Sequence, residues 1–367
     1  MGINFRENNM NAYNYCVIMA GGIGSRFWPV STIEKPKQFI DILNTGRSLL
    51  QQTFDRFNKI IPASNIIVVT GLEHERLVKE QLPEIPESNI LSEPMRRNTA
   101  PCIAYATYKI MQRNPQASVV VTPSDHLIID EEEFISNIIK GLNFAVQYKA
   151  LLTLGIKPDR PATGFGYIQI DTENKYGIYH KIKSFTEKPH LELAKFFVKS
   201  GEFYWNSGIF IWSIQSIKDA FSVFMPELFH LFEENSQCFG TSDERQAVTK
   251  IYSDAKSISI DYGVMEKADN VYMHCTNFGW SDLGTWNSVY NVSKKDKNNN
   301  VIHGSKIALF DSDNNYVLMP EGKMAVIKDI EDLIVVDSGD TLLICKRENE
   351  QWVKDIVTEA KAKLNIK

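Results

Sequence analysis

The stretch AGGIGSRFWPVSTIEKPKQF, residues 20–39, places three glycines and several cations directly after a short apolar run. Glycines let backbone N–H groups approach an anion closely, which is typical of loops that bind phosphates. The spacing matches neither G-x-x-x-x-G-K-[ST] nor G-x-G-x-x-G, so these two phosphate-binding fingerprints are excluded. Arg26 as a bidentate donor and Lys37 as a point charge would suit a polyphosphate. On the glycines alone, a tight turn after a strand is an equally good interpretation.

Two aspartates lie where a carboxylate could bind a metal ion. Asp125 belongs to TPSDH at the end of an apolar run that Pro123 stops, and Asp282 lies in GWSDLGTW before a glycine turn. Mg²⁺ is held by few carboxylates together with phosphate oxygens and water, so these two would suffice if the fold brings them together. Each aspartate alone is also a common cap or turn residue. We expect an ordinary hydrogen-bonded role for His126, because no second histidine lies at helical spacing.

Two further segments carry polar side chains that could bind hydroxyl or phosphate groups. FTEKP offers one carboxylate, Glu187, and one cation, Lys188, although the same residues are common in exposed turns. YWNSGIF places Asn206 in an apolar, strand-like setting. A buried amide there needs a partner, which is either a backbone group or a ligand hydroxyl.

These residues must be positioned by an alternating series of strands and helices. Continuous apolar runs predict strands buried on both faces at 15–20, 65–70, 118–123 and 151–156. The segments between and after them predict helices at 48–59, 72–82, 99–113 and 131–149. This order predicts right-handed crossovers and a mostly parallel sheet, with ligands at the carboxyl ends of the strands.

The second half of the chain has a different pattern. From about residue 160, the extended segments GFGYIQID, YHKIKSF and GEFYWNSGIFIW, with a helix near 190–200, predict a substrate lobe added to the sheet. After a polar run at 293–300, closely spaced short β runs predict a β-helix or meander that ends in a helix over 349–364. We therefore expect an α/β fold with a small C-terminal β domain.

The corresponding domains are a tail at 1–13, a catalytic domain at 14–292 and a C-terminal domain at 301–367.

The composition excludes several classes of partner. Lys+Arg 40 against Asp+Glu 45 gives a net charge of −5, which indicates no broad basic surface for nucleic acid. The five cysteines form no C-x-x-C pair, so neither a disulfide framework nor a zinc site is indicated. No stretch reaches the roughly 20 apolar residues that span a bilayer. We expect a reducing cytoplasm, with no membrane partner.

Several blocks, read in order, resemble the signature segments of mannose-1-phosphate guanylyltransferases, which are sugar nucleotidyltransferases. They are AGGIGSRFWPVSTIEKPKQF, SEPMRRNTAPCIA, PSDH, TGFGYIQ, FTEKP, WNSGIF, SIDYGVMEK and GWSDLGTW. The resemblance covers about 15–290 and implies a Rossmann-like, glycosyltransferase-A-like mixed sheet with helices on both faces. It implies a small left-handed β-helix-like domain after it. Thr32 stands where long, bifunctional members typically have arginine, so we expect the short form, without their added phosphomannose isomerase domain.

The resemblance also implies a reaction. GTP and α-D-mannose 1-phosphate would give GDP-mannose and diphosphate, the sugar phosphate oxygen attacking the α-phosphorus in line. The attacking phosphate is already an anion, so catalysis would consist of positioning and charge neutralisation. Mg²⁺ is the implied cofactor, with Asp125 and Asp282 as its ligands.

Roles for individual residues follow from the same resemblance. The catalytic set would be Arg26, Lys37, Asp125 and Asp282. The nucleotide site would comprise Ala20, Gly21, Gly22, Gly24, Ser25, Glu93, Asn98 and Ser124. The sugar-phosphate site would comprise Gly166, Glu187, Lys188, Asn206 and Asp261. Glu93 and Asn98 would read the base, since a carboxylate that accepts from guanine N1–H and N2–H₂ rejects adenine. For Asp261, contact with substrate and a purely structural role are equally good interpretations.

Two other functions are compatible with parts of this pattern. A transferase for another sugar 1-phosphate or another nucleotide would share the fold and the metal site. A catalytically silent nucleotide-sugar sensor or regulatory subunit would be expected to lack the loop cations or the metal carboxylates, all of which are present here. The expected partners are the small-molecule substrates and a second copy of the chain, through the C-terminal domain.

Overall fold

The computed structural model describes residues 11–22 and 24–365. Over these residues the chain divides into two compact units that are interleaved along the sequence. The first unit comprises the chain up to Gly21 together with Thr53–Ser124 and Ile128–Trp280. The second comprises Gly22–Gln52, Asp125–Leu127 and the chain from Ser281 onward. Most of the predicted tail, 1–10, lies outside the described residues, and the domain bounds at 14–292 and 301–367 stay a prediction.

The secondary structure follows the predicted alternation. The strands are β1 (Asn14–Ala20), β2 (Ile66–Gly71), β3 (Ile90–Glu93), β4 (Ser118–Pro123), β5 (Leu127–Ile128), β6 (Leu151–Ile156), β7 (Gly166–Tyr176), β8 (Tyr179–Glu187), β9 (Phe203–Ser213), β10 (Val271–Thr276), β11 (Trp280–Ser281), β12 (Val301–His303), β13 (Lys306–Phe310), β14 (Tyr316–Leu318), β15 (Met324–Lys328), β16 (Leu333–Asp337) and β17 (Leu342–Lys346). The α-helices are α1 (Leu49–Phe57), α2 (Glu75–Gln81), α3 (Thr99–Arg113), α4 (Glu131–Tyr148), α5 (Leu191–Ser200), α6 (Ile214–Phe224), α7 (Pro226–Glu234), α8 (Glu244–Asp254), α9 (Trp286–Val292) and α10 (Val353–Leu364).

Two elements differ from the sequence prediction in informative ways. The strand β3 was not predicted, because its four residues ILSE contain a serine and a glutamate and form no apolar run. The last helix begins later than predicted, because a 3₁₀ segment, Arg347–Trp352, precedes it. Among the described residues, every helix is too short or too polar to serve as a transmembrane segment.

In the first unit, nine of the described strands form one mixed sheet in the order β3-β2-β1-β4-β9-β6-β10-β8-β7. β3, β2, β1 and β4 run parallel, as the strand–helix–strand order predicts. β9 lies antiparallel to both β4 and β6, and β10 runs parallel to β6. The carboxyl ends of β1, β3 and β4 therefore meet at one edge of the sheet, where ligands bind in open α/β sheets.

Helices cover both faces of this sheet. Side chains alternate between the two faces of a strand, so neighbours on β9 contact different helices. Phe210 and Trp212 pack in the cluster that contains Tyr108 of α3. Ile211, between them, lies against Gly141 of α4, where an added Cβ would be 2.7 Å from its Cδ1 atom. This two-sided burial explains why the strands read as continuous apolar runs rather than as alternating ones.

The β strands of the second unit stack as short parallel coils. β12, β14 and β16 pair in parallel, β17 adds antiparallel to β16, and β13 pairs in parallel with β15. Buried asparagines link successive coils: both N–H groups of Asn315, backbone and side chain, donate to Asn300 Oδ1, and Leu333 N donates to Asn315 Oδ1. These bonds satisfy backbone groups at the corners of the coils, which would otherwise be buried without partners.

Candidate functional site

The glycine-rich loop after β1 adopts a conformation that requires its glycines. Gly22 and Gly24 have φ angles of 88° and 67°, in the region that side chains rarely allow. An added Cβ on Gly24 would lie 2.4 Å from the Cβ of Lys37. The glycine is therefore needed both for its backbone conformation and for the close packing of Lys37 against the loop. Ser25–Phe27 continue the loop as a single 3₁₀ turn that carries Arg26, whose side chain is exposed.

Within the second unit, Lys37 links the two segments that contain the predicted metal-binding aspartates. Its side chain is only 5% exposed, and its Nζ donates to Asp125 Oδ2 at 2.9 Å and to the backbone carbonyl of Asp282 at 2.7 Å. Its ammonium also lies 5.5 Å from the centroid of the Phe27 ring. A buried ammonium needs such partners, because desolvating an unpaired charge is very costly. The lysine therefore brings together three segments that are distant in the sequence.

Asp125 is held in its ionised form by its neighbours. Burial opposes ionisation of this carboxylate, but the Lys37 ammonium and, secondarily, His126 outweigh it, so the pKa of Asp125 lies below its ordinary value of 3.8. His126 Nε2 lies 3.9 Å from Asp125 Oδ1. This carboxylate is thus negatively charged throughout the neutral range and still 27% exposed. The ordinary hydrogen-bonded role expected for His126 stays a prediction.

The Asp282 side chain is fixed by the turn that follows it. Its Oδ1 accepts a hydrogen bond from Gly284 N at 3.1 Å, and an added Cβ on Gly284 would lie 2.6 Å from Asp282 Oδ2. Between them, Leu283 is fully buried and has a φ of 44°. A non-glycine residue with such an angle is strained and persists only where the surrounding packing enforces it.

Aromatic packing supports both the loop and this turn. Phe27 packs edge-to-face on Trp286 with ring centroids 5.0 Å apart, and Trp286 lies 5.2 Å from Tyr316 of β14. The Trp286 indole N–H donates to the backbone carbonyl of Trp28. These rings and Leu283 belong to one buried cluster of the second unit. The loop that carries Arg26 and the turn at Asp282 therefore pack against the same apolar cluster.

In the first unit, four of the residues predicted to bind the nucleotide lie at or directly after the carboxyl ends of strands. Ala20 and Gly21 lie at the end of β1, Glu93 ends β3, and Ser124 follows β4. Ser124 N donates to Met19 O, which ties the ends of β1 and β4 together. Ser124 Oγ is buried and has no hydrogen-bond partner within the described ranges 11–22 and 24–365. A hydroxyl left in this state at the ligand-binding edge of a sheet is a suitable donor for a bound anion.

Glu93 is held in an unusual state by its surroundings. It is 9% exposed, and Tyr252 OH donates to its Oε1 at 2.9 Å. Burial raises the pKa of Glu93 to about 7, with Tyr252 and Arg96 acting in the opposite direction. The carboxyl group is thus divided between its acidic and ionised forms at neutral pH, so a small change in its environment would change its charge.

Asn98 has an unusual backbone conformation for a residue other than glycine. Its φ and ψ are 67° and −170°, and its side chain caps α3 by accepting from Thr99 N. The region of φ and ψ in which it lies is almost restricted to glycine and costs about 1–3 kcal/mol. Ile258 N donates to Arg97 O, and Arg97 Nε donates to Tyr252 O, which anchor the segment before Asn98. Strain held in place in this way is common at ligand sites.

The predicted sugar-phosphate residues form one cluster in the first unit. Asn206 Nδ2 donates to Asp261 Oδ1 at 2.7 Å, while its Oδ1 accepts from Gly208 N and Thr153 Oγ1. Gly166 pairs with Glu187 across β7 and β8, and an added Cβ there would lie 2.5 Å from Glu187 Oε2. The partly buried amide of Asn206 therefore has partners from the protein for both its oxygen and its nitrogen.

Negative charge accumulates in this cluster. Burial raises the pKa of Asp261, Asn206 opposes this effect, and the nearby Glu187 carboxylate raises it further. Lys188, which has a φ of 46°, pairs its ammonium with Glu187 Oε1 at 2.5 Å and is 65% exposed. Asp261 begins a π-helical turn, Asp261–Met265, a feature that is frequent at functional sites. Its contacts with Asn206 are compatible with both of the roles predicted for it.

The sequence did not point to every residue that supports these groups. Tyr252 lies on the buried face of α8, and nothing in its local sequence indicates that it bonds Glu93. Thr153 is the one hydroxyl residue of the apolar run LLTLGI, and this was the available signal. No group of three or more histidine, cysteine, aspartate or glutamate residues suited to a metal occurs among the residues described.

Comparison with known proteins gives consistent matches over nearly the whole chain. Residues 15–299 match the family described as nucleotidyl transferase, and residues 304–359 match the MannoseP isomerase/GMP-like beta-helix domain. The second match confirms the predicted β-helix-like region. A mannose-1-phosphate guanylyltransferase of Escherichia coli is 35% identical over 350 residues, which cover 93% of this chain and 74% of that protein.

Other relatives agree with these matches. A mannose-1-phosphate guanylyltransferase of Salmonella montevideo is 36% identical over 353 residues, covering 94% of this chain and 73% of that protein. A crystal structure from Thermus thermophilus, described as a mannose-1-phosphate geranyltransferase, has a TM-score of 0.83 at 27% identity. That comparison covers 95% of this chain and 99% of the other. The similarity thus extends through both the α/β and the β-helix-like regions.

Replacement of Lys37 by methionine is expected to raise the pKa of Asp125 and to destabilise the fold at neutral pH. Without the ammonium, only His126 and a backbone hydrogen bond would oppose the effect of burial on this carboxylate, so its pKa should rise. In the wild type the lowered pKa stabilises the fold above the unfolded-state pKa, and this contribution is lost as pH falls through the folded-state pKa. The stability deficit of K37M should therefore be larger at pH 7 than at pH 3. At pH 7 it should reach about 2–3 kcal/mol, less than for a fully buried pair.

Urea unfolding at both pH values and a carboxyl-carbon NMR titration of Asp125 measure these effects. K35M, which removes an exposed lysine from the same loop, is the matched control and should change neither quantity. An unchanged Asp125 titration in K37M would contradict the assignment of Lys37 as its charge partner.

Proposed function

Because the chain belongs to the mannose-1-phosphate guanylyltransferase family, we propose that it transfers the guanylyl group of GTP to α-D-mannose 1-phosphate, giving GDP-mannose and diphosphate. The family consists of nucleotidyltransferase enzymes, whose substrates are a nucleoside triphosphate and a sugar phosphate. The observation that supports the assignment most directly is the Lys37 ammonium, held between the Asp125 carboxylate and the Asp282 carbonyl. It places a cation suited to phosphates beside one predicted metal carboxylate, Asp125, and beside the backbone of the other predicted ligand, Asp282.

Nucleotidyltransferases of this family generally use a divalent metal ion. Asp125 and Asp282 are proposed as the residues that would hold Mg²⁺, because carboxylate oxygens are the donors that this ion prefers. Lys37 engages one oxygen of Asp125, and Gly284 N engages one oxygen of Asp282, so each carboxylate could offer its other oxygen. When bound, the ion would neutralise charge on the phosphate oxygens.

In the proposed reaction, a phosphate oxygen of mannose 1-phosphate forms a bond to the α-phosphorus of GTP. The bond between this phosphorus and the bridging oxygen to the β-phosphate breaks, and diphosphate leaves with the electron pair. No general base is required, because the attacking oxygen is already ionised. Arg26, exposed on its 3₁₀ turn, and Lys37 would neutralise charge on the triphosphate and on the leaving diphosphate. The loop glycines Gly21, Gly22 and Gly24, with Ala20 and Ser25, would bring backbone N–H groups to the nucleotide.

Glu93, Asn98 and Ser124 are proposed as the other nucleotide residues. In its ionised form, Glu93 would accept hydrogen bonds from the guanine N1–H and N2–H₂ groups, and adenine offers no matching donor pair. The strained backbone of Asn98 and the buried, unpaired hydroxyl of Ser124 support a ligand in this region. A site built to pair with polar base edges strongly rejects a base that leaves them unpaired.

The cluster around Asn206 is proposed to bind mannose 1-phosphate. Glu187, Asn206 and the backbone at Gly166 would contact sugar hydroxyls, and Lys188 would contact the phosphate. Asp261 is proposed to orient Asn206, to which it is bonded at 2.7 Å. The exposure of Lys188, which leaves its ammonium accessible, supports a role in phosphate binding.

Assembly and location are also proposed. In β15, buried Ala325 alternates with Met324 and Val326, which are 74% and 61% exposed, so the strand presents an apolar outer face. We propose that this face of the C-terminal domain forms a homodimer.

We also propose a cytoplasmic location, which is supported by the fact that all five cysteines are free thiols.

The decisive experiment is a diphosphate-release assay with Mg²⁺ across four nucleoside triphosphates and several sugar 1-phosphates. The proposal expects GTP with mannose 1-phosphate to be the preferred pair. No release with this pair would contradict the proposal, and a preference for another pair would indicate a related transferase with different substrates.

Removal of either metal carboxylate is expected to abolish most of the activity. D125N and D282N preserve side-chain volume and should lower kcat by about a hundredfold or more, since each removes a charged ligand. Steady-state kinetics with GTP and mannose 1-phosphate measure this effect, and circular dichroism verifies the fold. D269N, at an exposed aspartate, should retain wild-type rates. Near-normal turnover in D125N or D282N would rule out the proposed metal site.

The proposed base recognition predicts a pH dependence of GTP binding. The pKa of Glu93 is raised to about 7, so its acceptor form grows as pH rises from 6 to 8. GTP affinity should therefore increase over this range in the wild type beyond any change due to the nucleotide itself. E93Q should lose this component and part of the preference for GTP over ATP. Calorimetric titrations at several pH values test the difference, with E87Q at an exposed glutamate as control. Equal pH profiles for wild type and E93Q would exclude the role.

The proposed dimer predicts that charges on β15 separate the subunits. The double variant M324E and V326E should sediment as a monomer, whereas the wild type should sediment as a dimer. V223E, at a residue 67% exposed in the first unit, is the control for an added surface charge and should stay dimeric. A monomeric wild type at micromolar concentration would exclude this interface.

A further inference from the structure

The segment after β17 contacts two parts of the proposed catalytic machinery within the second unit. Its 3₁₀ stretch, Arg347–Trp352, contacts α9, which follows the Asp282 turn. The helix α10 contacts the turn Ser25–Phe27 that carries Arg26, and Val353 and Val357 belong to the same apolar cluster as Phe27. This part of the chain therefore lies against both the phosphate loop and the metal turn.

Glu350 is the charged residue of this segment that is buried. It is 8% exposed, and its Oε2 accepts a hydrogen bond from the backbone N–H of Asn287 at 2.5 Å. Its carboxylate also hydrogen-bonds Thr285, the N-cap residue of α9. The first N–H groups of a helix have no partners within the helix, so Glu350 supplies an acceptor at this end.

Other charged groups face the same position. Burial raises the pKa of Glu350, and this effect is opposed by its bonds to Asn287 and Thr285 and by the charges of Arg347 and Arg26. Arg347 Nη1 donates to Asn287 Oδ1 at 3.0 Å, and its guanidinium lies 4.0 Å from the centroid of the Tyr290 ring. Glu350 and Arg347 thus hold the backbone and the side chain of Asn287 from the same element.

The turn that these contacts support is short. Thr285 directly follows Gly284, whose N–H fixes the Asp282 carboxylate, and Asp282 O accepts from Lys37. A displacement of the start of α9 would therefore be transmitted over two residues to the Asp282 carboxylate. The positive φ of Leu283 leaves this turn little alternative conformation.

We propose that Glu350 is a positioning residue for catalysis, which fixes the start of α9 and thereby the Asp282 carboxylate. The C-terminal segment is in this view part of the catalytic apparatus. The inference rests on the proposed function, because it assigns a geometric role toward the metal and phosphate groups of that reaction. Glu350 itself contacts no reacting atom in this proposal.

Three variants test the role of Glu350. E350A removes the acceptor and the charge, E350Q keeps one acceptor oxygen without the charge, and E348Q changes an exposed glutamate of the same 3₁₀ stretch. Mn²⁺ binding in the presence of GTP, followed by electron paramagnetic resonance, reports on the metal site without turnover. Steady-state kinetics and thermal unfolding are measured on the same proteins, at temperatures well below the unfolding midpoint of each variant.

The expected result is a graded loss at the metal site. Mutation of groups that orient metal ligands typically lowers metal affinity or activity 10- to 100-fold. E350A should therefore weaken Mn²⁺ affinity and lower kcat by roughly tenfold. E350Q should have a smaller effect, E348Q none, and the KM for mannose 1-phosphate should stay constant in all three. If E350A does not fold, a reduced Mn²⁺ affinity in E350Q supports the proposal and an unchanged one overturns it.

Two outcomes separate this inference from the proposed function. A lower unfolding temperature in E350A with unchanged Mn²⁺ affinity and unchanged kcat would overturn the inference, because it would show a purely structural role. No diphosphate release from wild-type enzyme with GTP and mannose 1-phosphate would contradict the proposed function, while the Mn²⁺ comparison would still decide the role of Glu350.

Discussion

The buried ammonium of Lys37 is the constraint on which the second unit depends. Its removal from water is tolerable only because a carboxylate and a carbonyl take the place of solvent. Those two groups come from the end of β4 and from the turn before α9, and the lysine comes from the glycine-rich loop. Satisfying one charge therefore fixes three segments, and the same arrangement places the Asp125 carboxylate and the Asp282 backbone beside one cation. Packing and proposed chemistry thus have a common origin.

Backbone strain marks several residues next to the proposed ligand contacts. Asn98, Lys188 and Leu283 have positive φ angles although none is a glycine. Each such residue costs about 1–3 kcal/mol, which the surrounding packing and hydrogen bonds must offset. Side chains held by an enforced backbone lose little further freedom when a ligand binds. This preorganisation suits a reaction that needs charge placement rather than an enzyme nucleophile.

Three carboxyl groups that are at least partly buried illustrate how neighbouring groups determine the ionisation state of a carboxyl group. Burial favours the neutral form of all three groups. The pKa of Asp125 is nevertheless lowered, because this carboxylate faces an ammonium, whereas Glu93 is bonded to a phenol and has a pKa of about 7. Asp261 lies near a second carboxylate and also has a raised pKa. A permanent charge suits a metal ligand, while groups with raised pKa values suit polar recognition that is sensitive to environment.

Local sequence determined the strands of the parallel half, most helices, and the ordered blocks from which the family and the candidate residues were identified. Apolar runs and turn residues act over a few positions, so their pattern is readable without a fold. Only the tertiary structure decided the partners: Tyr252 for Glu93, the Asp282 carbonyl for Lys37, and Glu350 for the start of α9. These pairs are separated by 159, 245 and 63 positions, and no local composition encodes such contacts. They arise because packing brings buried polar groups together, where each must find a partner.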